Sequence, residues 1–233
     1  MAHSNSDNAS FNFITETSEN LVNAIRRYLN QIQVVAIDEV EIFKNDSASY
    51  DETIAHRLGL IPLKVNKISD KEIKLKLSVS KPGVVYSGEL KGDIEVVYDK
   101  IPLAILNKDQ ELELIAQTKV GNGNEHAKFT PGLIYYRNLL TLKTDAKAKE
   151  ISEIFLRCYS NCVNGKKIEN NKTYELDICE SCQDELSNLK ITLTPSNKII
   201  VFVESFGQLE SNKMIPTIVK ELKKDLNSVV KKL

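Results

Sequence analysis

Apolar residues recur along this chain with two different periods. Phe11 to Thr15 alternates and predicts a short strand. Leu21, Ala24, Ile25, Tyr28, Leu29 and Ile32 then fall at three- and four-residue steps. That stripe predicts a helix from a cap at Thr17 or Ser18 to about Gln31. Val34 to Phe43 is rich in β-branched residues, with Val40 and Ile42 set between Glu39 and Glu41, as in a half-buried strand. From Leu63 to about Leu142 the period of two dominates. Ile73, Leu75, Leu77 and Val79 alternate with Lys74, Lys76 and Ser78, and Leu112 and Leu114 alternate with Glu111 and Glu113. Val84 to Leu90, Ile94 to Tyr98 and Ile134 to Leu142 predict further strands. Turns at Lys81-Pro82-Gly83 and Lys91-Gly92-Asp93 and a flexible bend at Gly121 to Asn124 separate them. The pattern predicts an antiparallel β-rich region.

The helical period returns at Ala146 to Leu156, with Ile151, Ile154 and Phe155 as its apolar side. Leu189 to Thr194 and Lys198 to Glu204 predict a β-hairpin around Thr194-Pro195-Ser196-Asn197. A long helix is expected from Ser211 or Pro216 to the end, since proline suits only a first turn. Ile218, Val219, Leu222, Leu226, Val229 and Val230 form its seam, opposite Lys220, Lys223, Lys224, Lys231 and Lys232. A lysine face of this kind is usually solvated. The seam is long for a terminal helix and needs a covering surface. The whole is of α+β class.

Asn45 to Leu63 is the stretch the rest is organised around. Ser49 or Tyr50 precedes Asp51 and Glu52, acids that suit the first turn of a helix. Ile54, Leu58, Leu60 and Ile61 give an apolar side. Gly59 is expected to stop the helix in a left-handed residue, and Pro62 bars continuation. Neither a nucleophile–base pair nor a glycine cradle for phosphate lies here.

Composition narrows the function. The 31 Lys and Arg residues are balanced by 32 Asp and Glu, a net charge of −1, which argues against broad coating of nucleic acid. No apolar run approaches the ~18 residues of a membrane span. The polar opening Met1 to Ser10 is expected to be a frayed end with no signal core. An intracellular, cytoplasmic protein is therefore expected, with cysteines reduced or on a metal. All four cysteines cluster as Cys158, Cys162, Cys179 and Cys182, a C-x3-C and a C-x2-C pair sixteen residues apart. Two such pairs suit one four-thiolate site; reduced structural thiols or a vestigial site are the alternative. His126 and Lys128 follow the glycines of the bend and invite a base and an electrophile. No Ser or Cys stands near them, and no second histidine. Nor does the chain cluster carboxylates of the kind that hold paired magnesium ions.

Four blocks carry a resemblance. D-E-x-I-A-H-R-L-G-L-I-P-L (Asp51 to Leu63) resembles the signature of the D-type subunit family of archaeal DNA-directed RNA polymerase. The relatives of that family are the third-largest subunit of eukaryotic polymerase II and, more distantly, the N-terminal domain of the bacterial alpha subunit. N-A-I-R-R (Asn23 to Arg27), G-x-G-x-E-H-A-K-F-x-P (Gly121 to Pro131) and E-S-x-G-Q-L (Glu204 to Leu209) match in the same order. The resemblance implies a non-catalytic assembly subunit. It implies a discontinuous dimerisation domain, residues 1–48 plus 187–233, interrupted by a β-rich insert domain, 49–186. Residues 145–186 would be a cysteine-containing, degenerate ferredoxin-like subdomain. The implied partners are a smaller L-like subunit, N-like and P-like small subunits and the second-largest catalytic subunit, with DNA reached only through the complex. Implied interface residues are Arg26, Arg27, Asp51, Glu52, His56, Arg57, His126, Lys128, Ile218, Leu222 and Leu226. Many members carry iron–sulfur clusters at this place, but Glu185 stands where a third closely spaced cysteine would be, and no proline follows. One zinc ion or a degenerate cluster is expected instead, with a structural duty. Two rival readings stand beside this one: an independent enzyme using His126 and Lys128, and a free-standing metal or iron–sulfur redox module.

Overall fold

The first alternation becomes strand β1 (Ser10–Thr15), and the stripe after it becomes helix α1 (Glu19–Tyr28), continued by a 3-10 turn at Leu29–Gln31. β2 (Gln33–Asn45), α2 (Asp51–Gly59) and β3 (Leu63–Lys64) follow. The β-rich region supplies β4 (Lys74–Val79), β5 (Gly83–Tyr86), β6 (Glu95–Val96), β7 (Pro102–Leu106), β8 (Leu112–Asn122) and β9 (Gly132–Thr144). Then come α3 (Ala148–Arg157), β10 (Lys172–Leu176), α4 (Glu180–Asn188), β11 (Leu193–Ser205) and α5 (Ser211–Val230). The computed structural model describes residues 9–64, 72–145, 147–157 and 168–232. They fall into two units, each discontinuous in sequence. One draws on Asn12–Asn23 and Tyr135–Phe202, the other on Ala24–Ile134 and Val203–Leu233.

Among the described residues the strands form a four-stranded sheet β1-β11-β9-β10, a three-stranded sheet β2-β8-β4, and two-stranded pairs β3-β6 and β5-β7. β8 is the spine of the larger unit. It pairs antiparallel with β2 on one side and β4 on the other. Leu112, Leu114, Ala116 and Thr118 all point inward from it and are buried. Leu75 and Leu77 of β4 meet Ala116 and Leu114 across the ladder. Ile54 and Leu58 of α2 are fully buried in the same apolar cluster, with Ile37, Leu103 and Leu106. A second cluster, in the smaller unit, joins Ile151, Ile154 and Phe155 of α3 to Leu142, Leu176 and Leu186.

β2 changes face along its length. Val35 and Ile37 point into the core, and further on Val40 and Ile42 do so. The inward positions therefore switch from odd to even between residues 37 and 40, while β8 stays even throughout. One extra residue must be absorbed in β2, because side chains alternate strictly along a strand. The ladder shows it: Ile37 faces Thr118 and Glu39 faces Gln117, which leaves Asp38 as the bulged residue.

Several expectations are corrected. α2 does not end in a left-handed glycine. Gly59 is its last helical residue, and the positive-φ glycines among the described residues are Gly83 and Gly207. The helix instead closes on Leu60, whose N–H donates to the Arg57 carbonyl at 3.2 Å. No Tyr50 side-chain cap is made. The expected hairpin around Pro195 is one continuous strand, β11. Pro195 is its third residue, in an exposed stretch before the buried run Ile199 to Val201, where a missing N–H costs least. Pro216 is the sixth residue of α5, deeper than expected. It removes the usual donor to the Asn212 carbonyl. The strand expected over Ile94 to Tyr98 shrinks to β6.

Candidate functional site

The blocks at Asp51–Leu63 and Gly121–Pro131 lie side by side in the larger unit. The loop between β8 and β9 is shaped by its own polar groups. Asn122 donates from Nδ2 to Glu125 Oε1 at 2.8 Å and accepts the Asn124 N–H at 3.1 Å. His126 accepts the Lys128 N–H on Nδ1 at 3.1 Å, and so caps a 3-10 turn over Ala127–Phe129. The Phe129 ring is buried on the bare face of Gly121, where a Cβ would come within 2.7 Å of it. That anchor turns Lys128 toward α2. A Cβ built on Gly59 would lie 3.7 Å from the Ile37 carbonyl oxygen and 3.9 Å from Lys128 Cδ. These are ordinary van der Waals distances, so Gly59 fits here without a steric requirement for glycine.

The Lys128 side chain is only 14% exposed, and its ammonium is ion-paired with the carboxylate of Asp38, the bulged residue of β2. The same ammonium lies 5.2 Å from the centre of the Phe129 ring. Lys119 is a second cation, 3.8 Å from Asp38. The hydrogen bond from Lys128 holds the Asp38 carboxyl below the usual carboxylate range; burial opposes the shift, and the charges of Lys128, Lys119 and His126 assist it. A lowered carboxyl pKa stabilises the fold above the ordinary carboxylate range. That contribution is lost as pH falls through the lowered value.

The expected interface residues differ in exposure. Glu52 and His56 are exposed, with no side-chain hydrogen bond or ion pair among the described residues. Arg26 and Arg27 are exposed in the last turn of α1. Leu222 is half-buried, and Leu226, Val229 and Val230 are 56%, 54% and 70% exposed. Asp51, Arg57, Ile218, His126 and Lys128 have visible roles within this chain. Asp51 accepts from Asn45 Nδ2 at 2.7 Å in the turn before α2. Arg57 donates from Nη1 to the carbonyls of Pro102 and Leu103, at 3.1 and 3.2 Å, and so ties α2 to β7. Ile218 is wholly buried with Met214 on the inner side of α5 and is a core residue, correcting its place on the expected seam. His126 turns Nδ1 to its own backbone, and Lys128 is ion-paired with Asp38.

Asp38 was not among the expected site residues. Its signal in the sequence is the odd spacing between Ile37 and Val40.

Elsewhere in the larger unit, Tyr28 donates to Asp225 Oδ2 of α5 at 3.2 Å. The turn after β11 is closed by Ser205, whose Oγ accepts the Gly207 N–H at 2.9 Å. Gly207 has φ +106. Gln208 follows, beside a groove of about 500 Å³ floored by Val34, Val35 and Leu63.

Cys179 and Cys182 share the N-terminal turn of α4, Cys179 as the cap. Cys182 is buried among Ile151, Ile154, Leu176 and Leu186. Cys158 and Cys162 lie outside the described residues. Among the described residues no three His, Cys, Asp or Glu side chains converge as a metal site.

Comparison with known proteins adds the family. Residues 35–135 match the model of the RNA polymerase Rpb3/RpoA insert domain. DNA-directed RNA polymerase subunit Rpo3 of Pyrococcus horikoshii is 42% identical over 142 residues, 55% of this chain and 55% of that protein. The Thermococcus kodakarensis subunit of the same name is 37% identical over 145 residues, covering 57% and 56%. These matches span about half the length of those relatives. The Rpo3 subunit of Pyrobaculum islandicum is 31% identical over 232 residues, 90% of this chain and 85% of that one. The chain belongs to the Rpo3 family of DNA-directed RNA polymerase subunits. The Rpo3-family insert match takes in α2, the Asp38 bulge and the loop that Lys128 closes. The cysteines and the exposed end of α5 lie beyond that match. No helix among the described residues is long and apolar enough to cross a membrane.

Proposed function

We propose that this chain is a non-catalytic assembly subunit of a DNA-dependent RNA polymerase. It would pair with a smaller L-like subunit and form the platform on which the second-largest catalytic subunit docks. N-like and P-like small subunits would meet the insert, and DNA would be reached only through the complex. Family membership supports the polymerase. The observation that supports pairing is the end of α5, where Leu226, Val229 and Val230 stand more than half exposed on a 20-residue helix. Large aliphatic side chains gathered on one helical turn mark an interaction surface. We assign pairing to residues 1–48 and 187–233 and contacts with the other subunits to 49–186. Affinity capture of the tagged chain from native lysate, followed by mass spectrometry, tests this reading. The two largest polymerase subunits and an L-like chain are expected in near-equal amounts. Recovery of the tagged chain without other polymerase subunits contradicts it.

We further propose that Cys158, Cys162, Cys179 and Cys182 hold one zinc ion or a degenerate iron–sulfur cluster that ties the region 145–186 together. Such an ion supplies cross-links and no chemistry. The support is the paired spacing and the common helical turn of Cys179 and Cys182. Metal analysis of anaerobically purified protein is expected to find about one site's worth of zinc or iron. Less than about a tenth of an equivalent of both together contradicts it.

A further inference from the structure

The strand β2 carries a device that neither the family match nor the signature blocks assign. A bulge in a strand re-aims one side chain and costs one rung of the ladder. Here the re-aimed side chain is Asp38, and its target is Lys128, 90 residues further along the chain. Without the bulge Asp38 would take its turn in the alternation, and Val40 and Ile42 would face away from the core. The bulge therefore keeps two apolar residues inward while placing a carboxylate at the mouth of the loop. On the other side, Lys128 reaches Asp38 only because Phe129 is anchored on Gly121 and His126 caps the turn. The Lys128 stem also runs past Gly59, at the end of α2. Three separate stretches thus converge on one ion pair: the bulge, the end of the signature helix and the loop.

We propose that Asp38 is a positioning residue, an electrostatic latch that holds the Asn124–Pro131 loop against β2, beside the end of α2, in the form presented to a neighbouring polymerase subunit. The inference rests on the assembly reading given above. The latch is partly shielded, because the Lys128 side chain is 14% exposed against 29% for Asp38. A charge-assisted hydrogen bond with one end so covered is worth more than an exposed ion pair. Lys119 shares the carboxylate at longer range, 3.8 Å.

The test compares Asp38→Asn, Lys128→Met and the double variant in the full chain, using amide hydrogen exchange. The Lys128, Phe129 and Thr130 amides, bonded to His126 Nδ1, the His126 carbonyl and the Ala127 carbonyl, report on the loop. Each single variant is expected to exchange about tenfold faster at these amides, with β8 unchanged. The double variant should be no faster than either single one, because both remove one shared interaction. Exchange within about twofold of the parent in Asp38→Asn overturns the latch. So do effects that simply add. A second arm uses the polymerase subunits co-expressed with each variant. Asp38→Asn is expected to lower recovery of the assembled complex, and the charge swap Asp38→Lys with Lys128→Asp to restore part of it. Normal recovery with a loosened loop overturns the positioning role. Failure of the parent chain to assemble at all condemns the assembly reading itself, a separate outcome.

Discussion

Gly132→Ala is expected to cost about 3 kcal/mol of folding stability, at the upper end of what one added methyl does in a packed interior. Gly132 opens β9, and a Cβ there would collide with the Glu204 carbonyl oxygen and stand 2.7 Å from Met214 Cε. The methionine tip can turn aside, since its side chain is unbranched. The carbonyl cannot, because it belongs to β11, and the neighbouring backbone is also tied: the Phe206 N–H donates to the Pro131 carbonyl at 3.0 Å. One strand end must therefore move away from the other. Chemical denaturation of parent and variant measures the loss as a shift in midpoint at constant slope. Gly83→Ala is the useful control. That glycine has φ +134 but nothing within 4 Å of the added carbon, so it isolates backbone strain from collision. A Gly132→Ala variant within about 0.5 kcal/mol of the parent contradicts the packing described for this corner.

Leu226→Asp combined with Val229→Asp is expected to act in the opposite way. Both side chains are more than half exposed in the chain alone. The stability of the isolated chain should therefore stay within about 0.5 kcal/mol of the parent. Pairing with the L-like subunit should weaken by about 3 kcal/mol, more than a hundredfold in affinity. The cause is two carboxylates placed in a seam that a partner dehydrates without offering them partners. Isothermal titration of the purified chains reads the loss. Unchanged affinity would mean that the end of α5 is not the paired surface. Equal damage to folding and to pairing would mean that these residues are covered by their own chain. Ile218→Asp is the contrasting variant, since its fully buried position predicts failure to fold whatever the partner does.

The sequence revealed regular elements well where one face is wet. β4 and β8 alternate cleanly because Lys74, Lys76, Glu111 and Glu113 stand outside while leucines point in. α2 was equally plain, with Ile54 and Leu58 four residues apart. Its ending was not. Gly59 and Pro62 suggest a left-handed stop, yet proline three residues further on already ends the helix, and no special glycine geometry is needed. Pro195 misled in the same way. A proline reads as a turn, but near the start of a strand whose first residues are exposed it costs little. β10 and α4 were missed because Lys172 to Leu176 and Glu180 to Asn188 are short, polar and weakly periodic, and their burial comes from α3 and β9. The candidate docking residues could be named from the signature blocks. Which of them are spent internally depends on partners distant in sequence. Arg57 meets Pro102 and Leu103, 45 and 46 residues away, and no local pattern announces that. Asp38 is the more instructive omission. The change of parity between Ile37 and Val40 was present in the letters, and it is a local sign of a bulge.

The central claim is that the exposed apolar end of α5 exists to be covered by a different polypeptide. Sedimentation velocity of the purified chain, alone and after mixing with an equimolar L-like subunit, tests it most directly. The chain alone should self-associate, and the mixture should run as a single one-to-one heterodimer. A monodisperse monomer whose sedimentation is unchanged by the added subunit would contradict the account.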